Sequence, residues 1–245
     1  MNRKNQKDFN HFQSLAKDEK LSKAELLDFP NELRQGFESL ILLDLKSKIP
    51  ALQVKESRIL DIGCGCGDLA LKIIENSQKL SHELHLIDGK DVLQRLPSGK
   101  KIQKHFGRFQ EQGEVFSKYR EYFDVILCYS VFQYISLDSS PMIFLDRCLE
   151  LLKSGGMLLI GDIPNISMRN RMLSSEYGRI FHKEYMNSDL NPDVKFFENY
   201  DEIDDSIIIA MVLRARNLGY QGYILPQSKG LAFENRREDL LFVKY

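Results

Sequence analysis

The sequence has little that would direct it to a membrane, to secretion or to nucleic acid. The formal net charge is −1 over 245 residues, so no global excess of positive charge favours nucleic-acid binding. No apolar run approaches the roughly 20 residues that a membrane-spanning helix needs. The polar residues 1–7 have no apolar core behind them and do not resemble a secretion signal. We therefore expect a cytoplasmic protein without membrane partners.

Cysteine is also scarce, with four residues, and tryptophan is absent. Cys64 and Cys66 lie within a glycine-rich turn, but their spacing is not that of a zinc site and no second pair accompanies them. Packing of small residues explains them better, so no metal is predicted, and free thiols fit a cytoplasmic location. The length suits a single α/β domain with some additions and a sizeable core.

The most informative stretch is an apolar run that stops abruptly at glycine. Arg58–Ile62 predicts a buried strand, Gly63, Gly65 and Gly67 form a turn, and an amphipathic helix is expected from Asp68. Glycine permits a tight turn and lets the backbone approach a ligand closely. The free N–H groups at the start of the helix then face that ligand. The pattern predicts a ligand-binding turn, although a glycine turn alone also fits an ordinary strand-to-helix connection.

The G-x-G-x-G spacing differs from the phosphate-loop and dinucleotide fingerprints. With an acid two residues before the first glycine, the chain here resembles the class I S-adenosylmethionine-dependent methyltransferases, whose first motif reads as an acid, a hydrophobic residue and G-x-G-x-G. The resemblance implies S-adenosylmethionine as the cofactor, with its amino-acid end on the turn. The residues it implies at this end of the cofactor site are Asp61, Gly63, Cys64, Gly65 and Gly67.

Further segments match that family in the same order along the chain. Glu83–Asp88 predicts the second strand, and Asp88 at its end, followed by Gly89, is expected to accept the hydrogen bonds of a ribose diol. Lys101–Phe106 predicts an edge strand. The acid that commonly follows this strand in the family is missing, and Phe109 is expected to stack on adenine instead.

Phe123–Cys128 predicts the fourth strand, and the resemblance places Tyr129 and Ser130 nearest the cofactor. The segment lacks the D/N/S-P-P-Y/F motif of enzymes that methylate exocyclic amines of bases and glutamine amides, which disfavours that activity. A helix opened by Ser140-Pro141 is expected to end at Gly155-Gly156, before a fifth strand at Met157–Asp162.

The remaining segments complete the expected architecture. A helix over Ser206–Asn217 and two strands, Tyr220–Leu225 and Glu238–Lys244, match the family's antiparallel terminal pair. We therefore expect an α/β, Rossmann-like, mostly parallel seven-stranded sheet of order 3-2-1-4-5-7-6, with helices on both faces. The expected domains are an N-terminal helical cap over residues 1–57 and a cofactor-binding domain over residues 58–245.

The N-terminal cap is expected to contain several helices. Phe9, Phe12 and Leu15 suggest one apolar stripe, Ser22 is expected to cap a second short helix, and Asn31–Lys48 predicts a third. In the resembling family such helices often cover the cofactor or shape the substrate opening. Packing against one face of the sheet is the alternative.

A long insertion over residues 164–200 departs from a minimal domain and is expected to form a helical lid. Ile166–Met186 is amphipathic and rich in basic residues. Arginines there favour an anionic or hydroxyl-rich ligand, because a guanidinium binds phosphate or carboxylate bidentately. The alternative is a solvated helix without a specific ligand.

The expected reaction is methyl transfer to an oxygen of a small polar acceptor, such as a saccharide or a nucleotide-linked compound. A general base is needed only for a hydroxyl or a protonated amine, and His182 is the first candidate because histidine titrates near neutrality, followed by Tyr185 and Tyr134. One alternative is a tRNA or rRNA methyltransferase with a basic face. The other is a protein that binds S-adenosylmethionine without catalysis. The sequence leaves the oligomeric state open.

Overall fold

The computed structural model describes residues 9–18, 21, 36–187, 189–192, 194 and 202–245. The strands are β1 (Arg58–Ile62), β2 (Glu83–Asp88), β3 (Ile102–Phe106), β4 (Phe123–Tyr129), β5 (Leu152–Pro164), β6 (Gln221–Pro226) and β7 (Arg237–Val243). The helices are α1 (Phe9–Lys17), α2 (Glu38–Lys48), α3 (Asp68–Lys79), α4 (Lys90–Gln94), α5 (Gly113–Lys118), α6 (Phe132–Asp138), α7 (Pro141–Leu151), α8 (Ile166–Ser174), α9 (Glu176–Met186) and α10 (Asp205–Asn217).

The strands form a seven-stranded sheet of order β3-β2-β1-β4-β5-β7-β6, as predicted. β1 to β5 run parallel to one another, whereas β7 pairs antiparallel with both β5 and β6. The last four residues of β1 are buried because helices cover both faces of the sheet. A core that includes residues of α7 and α10 lies on one face, and one that includes residues of α2 and α3 lies on the other.

The start of β5 differs from the prediction that Gly155-Gly156 ends a helix. α7 already ends at Leu151, and the two glycines lie inside β5, where its register with β4 shifts. Gly155 has φ +76°, and a Cβ on Gly156 would lie 2.8 Å from the carbonyl oxygen of Phe123. Gly155 is therefore needed for its left-handed backbone, and Gly156 because the backbones of two strands approach closely at this irregularity.

The lid segment folds as two helices rather than one continuous amphipathic stretch. Asn165 caps α8, since its side chain accepts hydrogen bonds from the next helical N–H groups. Ser175 separates the helices and caps α9 by accepting from the Gly178 N–H at 3.0 Å. A Cβ on Gly178 would meet the Met172 carbonyl oxygen, so glycine permits the tight packing of α9 on α8.

Parts of the predicted N-terminal cap lie outside the described residues, including the helix expected after Ser22. The apolar stripe of Phe9, Phe12 and Leu15 does lie on a helix, α1, and the next described helix begins at Glu38 rather than Asn31. Asp204 caps α10 by accepting from the Ile207 N–H. Within the described part of the chain, no helix is both long and apolar enough to span a membrane.

Candidate active site

A single cavity brings most of the predicted cofactor residues together at the carboxyl ends of β1, β2 and β4. This is the edge at which open α/β sheets bind ligands. The glycine turn, Asp88 and the residues after β3 form one part of its wall, and the segment after β4 forms another. The predicted residues on this wall are Gly63, Cys64, Gly65, Gly67, Asp88, Phe109, Tyr129, Ser130 and Tyr134.

The glycine turn has a backbone that other residues adopt only with strain. Gly63 and Gly65 have φ angles of +66° and +63°, in the left-handed region. A Cβ on Gly63 would lie 2.5 Å from the Val131 side chain, so the segment after β4 packs directly against the turn. The Gly63 N–H donates to the Ile87 carbonyl at 2.8 Å, which holds the turn beside the end of β2.

Asp88 holds the turn in place with both carboxylate oxygens. One oxygen accepts from the Gly65 N–H at 2.8 Å and the other from the Gly89 N–H at 2.6 Å. Burial raises the pKa of this carboxyl, while the two N–H groups act in the opposite direction. Each oxygen can accept a further hydrogen bond, so the carboxylate can still bind a diol from the cavity side.

Asp61 lies behind the cavity wall rather than on it. Its residue is 3% exposed, and no described residue donates a hydrogen bond to its carboxyl group. Burial, and secondarily the nearby charge of Asp88, raise its pKa to about 7. A buried acid without a partner favours positive charge in the adjoining space, because a cation stabilises its ionised form.

Helix α1 covers the cavity, and Phe9, Phe12 and Ala16 line it. The Phe12 ring meets Tyr134 edge-on at a centroid distance of 5.0 Å. At the end of the helix, Arg95 donates from Nε to the Ala16 carbonyl at 2.9 Å. These contacts come from α6 and from the residue after α4, so both sides of the cavity help to position the helix.

The residues after β3 close the side of the cavity where adenine was expected. Phe109 is 3% exposed and packs edge-on against Phe116 and Phe144, with only part of the residue facing the cavity. Gln110 also lines the wall, and its side chain donates to the Ser139 hydroxyl at 3.0 Å. The Phe109 ring is therefore fixed by the core before any ligand binds.

The opposite end of the cavity contains an unusual hydrogen-bonded group. Ser130 follows β4, and Asp162 lies in β5 where its register with β7 shifts. Their φ angles are +61° and +58°, which are strained for residues other than glycine. The Ser130 hydroxyl donates to the Asp162 carboxylate, and Arg237 donates to the same oxygen at 2.6 Å. Gln133, also on the wall, has a buried side-chain oxygen without a partner in the described structure.

Comparison with known proteins identifies the chain. Residues 33–190, more than half of its length, match a family model described as a methyltransferase domain. The chain belongs to this methyltransferase family. The match confirms the prediction, made from the sequence, that the chain is a class I S-adenosylmethionine-dependent methyltransferase.

Solved structures share the fold of this methyltransferase at low sequence identity. The plantazolicin methyltransferase BpumL, in complex with SAH, has a TM-score of 0.60 and 15% identity, with 96% of this chain and 95% of that chain covered. N-methyltransferase NodS from Bradyrhizobium japonicum WM9, also in complex with S-adenosylhomocysteine, has a TM-score of 0.55 and 15% identity, with 94% of this chain and 95% of that chain covered. A SAM-dependent methyltransferase from Aquifex aeolicus has a TM-score of 0.51 and 14% identity, with 91% of this chain and 98% of that chain covered. No curated protein is significantly similar in sequence.

The methyltransferase does not bring all of its predicted catalytic residues to the cavity. Tyr134 lies on the cavity wall, whereas His182 and Tyr185 lie on α9 and are not among the residues that line it. Tyr185 is 50% exposed. The expected base on α9 is therefore separate from the cofactor cavity in this conformation.

Sequence reasoning missed Phe12, Asp162 and Arg237 as site residues. Asp162 had a usable signal, because it ends the predicted fifth strand at the edge where ligands bind. Arg237 had none, since its place depends on the antiparallel pairing of β7 with β5.

Proposed function

We propose that this methyltransferase transfers the methyl group of S-adenosylmethionine to an oxygen of a small polar acceptor. The observation that carries the proposal is the left-handed glycine turn, which Asp88 holds open toward a cavity covered by α1. The cavity residues fit the cofactor, because the turn leaves no side chain over the ligand and the acids beside it suit a cationic molecule.

Each part of the cavity has a role in this proposal. The turn from Gly63 to Gly67 supports the amino-acid end of the cofactor, Asp88 accepts from the ribose hydroxyls, and Phe109 and Gln110 bound the adenine. The bound cofactor supplies a methyl group that its positively charged sulfur already activates. The protein therefore contributes mainly positioning and the exclusion of water, and α1 serves the second task.

At the other end of the cavity, Tyr134 and Ser130 present hydroxyl groups that orient the acceptor. Ser130 donates to Asp162, so its oxygen is directed to receive a hydrogen bond from an acceptor hydroxyl. The proton lost by that hydroxyl then has a route to a buried carboxylate. A catalytic role for His182 or Tyr185 requires α9 to move toward the cavity.

The alternative of RNA methylation gains less support from the described residues. It requires a continuous basic face on α8 and α9. Arg171 instead pairs with Asp205, and Lys183 lies 3.7 Å from Asp189, so two of the expected basic residues face acids.

The test is methyl transfer from radiolabelled S-adenosylmethionine to paired acceptors. Saccharides and nucleotide sugars supply hydroxyl acceptors, simple amines supply nitrogen acceptors, and total tRNA supplies the nucleic acid. Label on the oxygen of a small hydroxylated compound is the expected result. Label that enters only amines or only tRNA would overturn the acceptor proposal.

A further inference from the structure

A group of three arginines lies where the cavity meets the lid helices, and we refer to Arg169, Arg236 and Arg237 as the arginine rim. We propose that the methyl acceptor carries an anionic group, a carboxylate or a phosphate, and that the arginine rim binds it. This inference rests on the proposed function, since it names the acceptor class of the same site.

Asp68, Asp88 and Arg108 line the cavity on the side of β2 and β3, and Arg237 lines it on the other side. Asp88 ends β2 and Asp68 begins α3, on the side proposed for the cofactor. Arg237 begins β7, four strand positions away from β2 in the sheet order. At about 4.8 Å per strand this is a separation of roughly 19 Å. The cavity thus offers acids to a cationic cofactor at one end and a cation to a second molecule at the other.

Arg236 and Arg237 point toward the same place although they are neighbours in the sequence. Their guanidinium carbons lie 4.8 and 5.0 Å from the centre of the Phe233 ring. The Arg236 N–H donates to the Phe233 carbonyl at 2.9 Å, so Arg236 closes a turn directly before Arg237 begins β7. Phe233 has a φ of +68°, which is strained for a side chain of its size.

Arg236 is half-buried without a carboxylate partner among the described residues. Its one side-chain hydrogen bond there goes to the Asn235 amide oxygen at 3.2 Å, and its guanidinium also lies 5.3 Å from the Phe181 ring of α9. Burial and the charges of Arg169 and Arg237 lower its pKa, while Tyr185 opposes them. Like charges held together in partly buried surroundings are unfavourable unless an anion joins them.

The nearest described acids are bound to other partners than Arg169 and Arg236. Asp162 pairs with Arg237 and also accepts from Ser130. Glu238 and Asp205 are held by Asn165, at 2.5 and 2.7 Å. Arg169 and Arg236 therefore have no carboxylate partner among the described residues. Guanidinium groups match the planar oxygens of carboxylate and phosphate, which identifies the class of ligand.

The experiment measures anion binding to the protein loaded with S-adenosylhomocysteine, at low ionic strength. Inorganic phosphate and acetate are titrated separately by calorimetry, which distinguishes a phosphate site from a carboxylate site. Arg236→Gln should weaken the preferred anion about tenfold or more, because it removes a charge-assisted interaction. Arg169→Gln should weaken it less, and Arg214→Gln is the matched control because Arg214 pairs with Asp146 on the outer surface.

Unchanged anion affinity in Arg236→Gln, or no binding of either anion to the loaded wild-type protein, would overturn the inference. Binding of tRNA that depends on Arg236, without binding of phosphate or acetate, would overturn it in favour of nucleic acid. Failure of S-adenosylhomocysteine itself to bind would refute the proposed function instead. Because the affinity for S-adenosylhomocysteine is measured in every variant, the two failures remain distinguishable.

Discussion

Replacing Asp61 with asparagine should remove a pH dependence of S-adenosylmethionine binding that the buried carboxyl creates. The pKa of Asp61 is raised to about 7, first by burial and then by Asp88. The empty protein therefore holds a proton on Asp61 below neutrality. The cofactor carries a sulfonium and an ammonium group, and both favour the ionised carboxylate. Binding should therefore strengthen as the pH rises.

The size of the change in affinity follows from the fraction of Asp61 that is ionised at each pH. With a pKa of about 7, Asp61 is ionised in about one molecule in eleven at pH 6 and in about ten in eleven at pH 8. The affinity should then rise by at most about tenfold across this window. His105, with its pKa lowered to about 4, and Cys64, with its pKa raised well above its usual value, do not titrate there.

The assay is calorimetric titration at several pH values in two buffers of different ionisation enthalpy. Wild-type protein should release about half a proton on binding at pH 7. Asp61→Asn, which keeps the shape of the side chain, should show a flatter pH profile and less proton release. The reasoning is refuted if the two proteins share one pH profile, or if wild-type affinity falls as the pH rises.

Three further predictions concern other residues of the site. Asp88→Ala should weaken cofactor binding by about 100-fold, since two hydrogen bonds to a carboxylate contribute about 1.5 kcal/mol each. Asp88→Asn should lose less of this affinity. Calorimetry that gave equal affinity for Asp88→Ala and wild type would remove the ribose assignment. Gly63→Ala should lower the melting temperature and abolish S-adenosylhomocysteine binding, whereas Gly113→Ala, in open space, should do neither. On an identified acceptor, Tyr134→Phe should reduce turnover while His182→Ala retains it, because only Tyr134 lines the cavity; the reverse ranking in a steady-state assay would return the base to α9.

Features that depend on neighbouring residues in the sequence were predictable. The strand before Gly63, the turn and helix α3 follow from a local pattern of apolar residues and glycines, and Asp88 follows from its place at the end of a strand. The strand order came from the resemblance to the family, and the structure confirms it.

Features that depend on distant partners were not predictable. Gly155-Gly156 was interpreted as a helix end, but Gly155 has a left-handed backbone inside β5 and Gly156 lies against the carbonyl of Phe123 on another strand. The place of α1 over the cavity depends on its contacts with Arg95 and Tyr134. Likewise, Arg237 reaches the cavity only through sheet pairing, so no local pattern marked it as a site residue.

The most direct test of the central claim is a calorimetric titration of the purified protein with S-adenosylmethionine and with S-adenosylhomocysteine, followed by a crystal structure with either. The account predicts one molecule bound per chain, between the glycine turn and α1, with Asp88 on the ribose. Failure of both molecules to bind, or binding that does not involve this cavity, would contradict it.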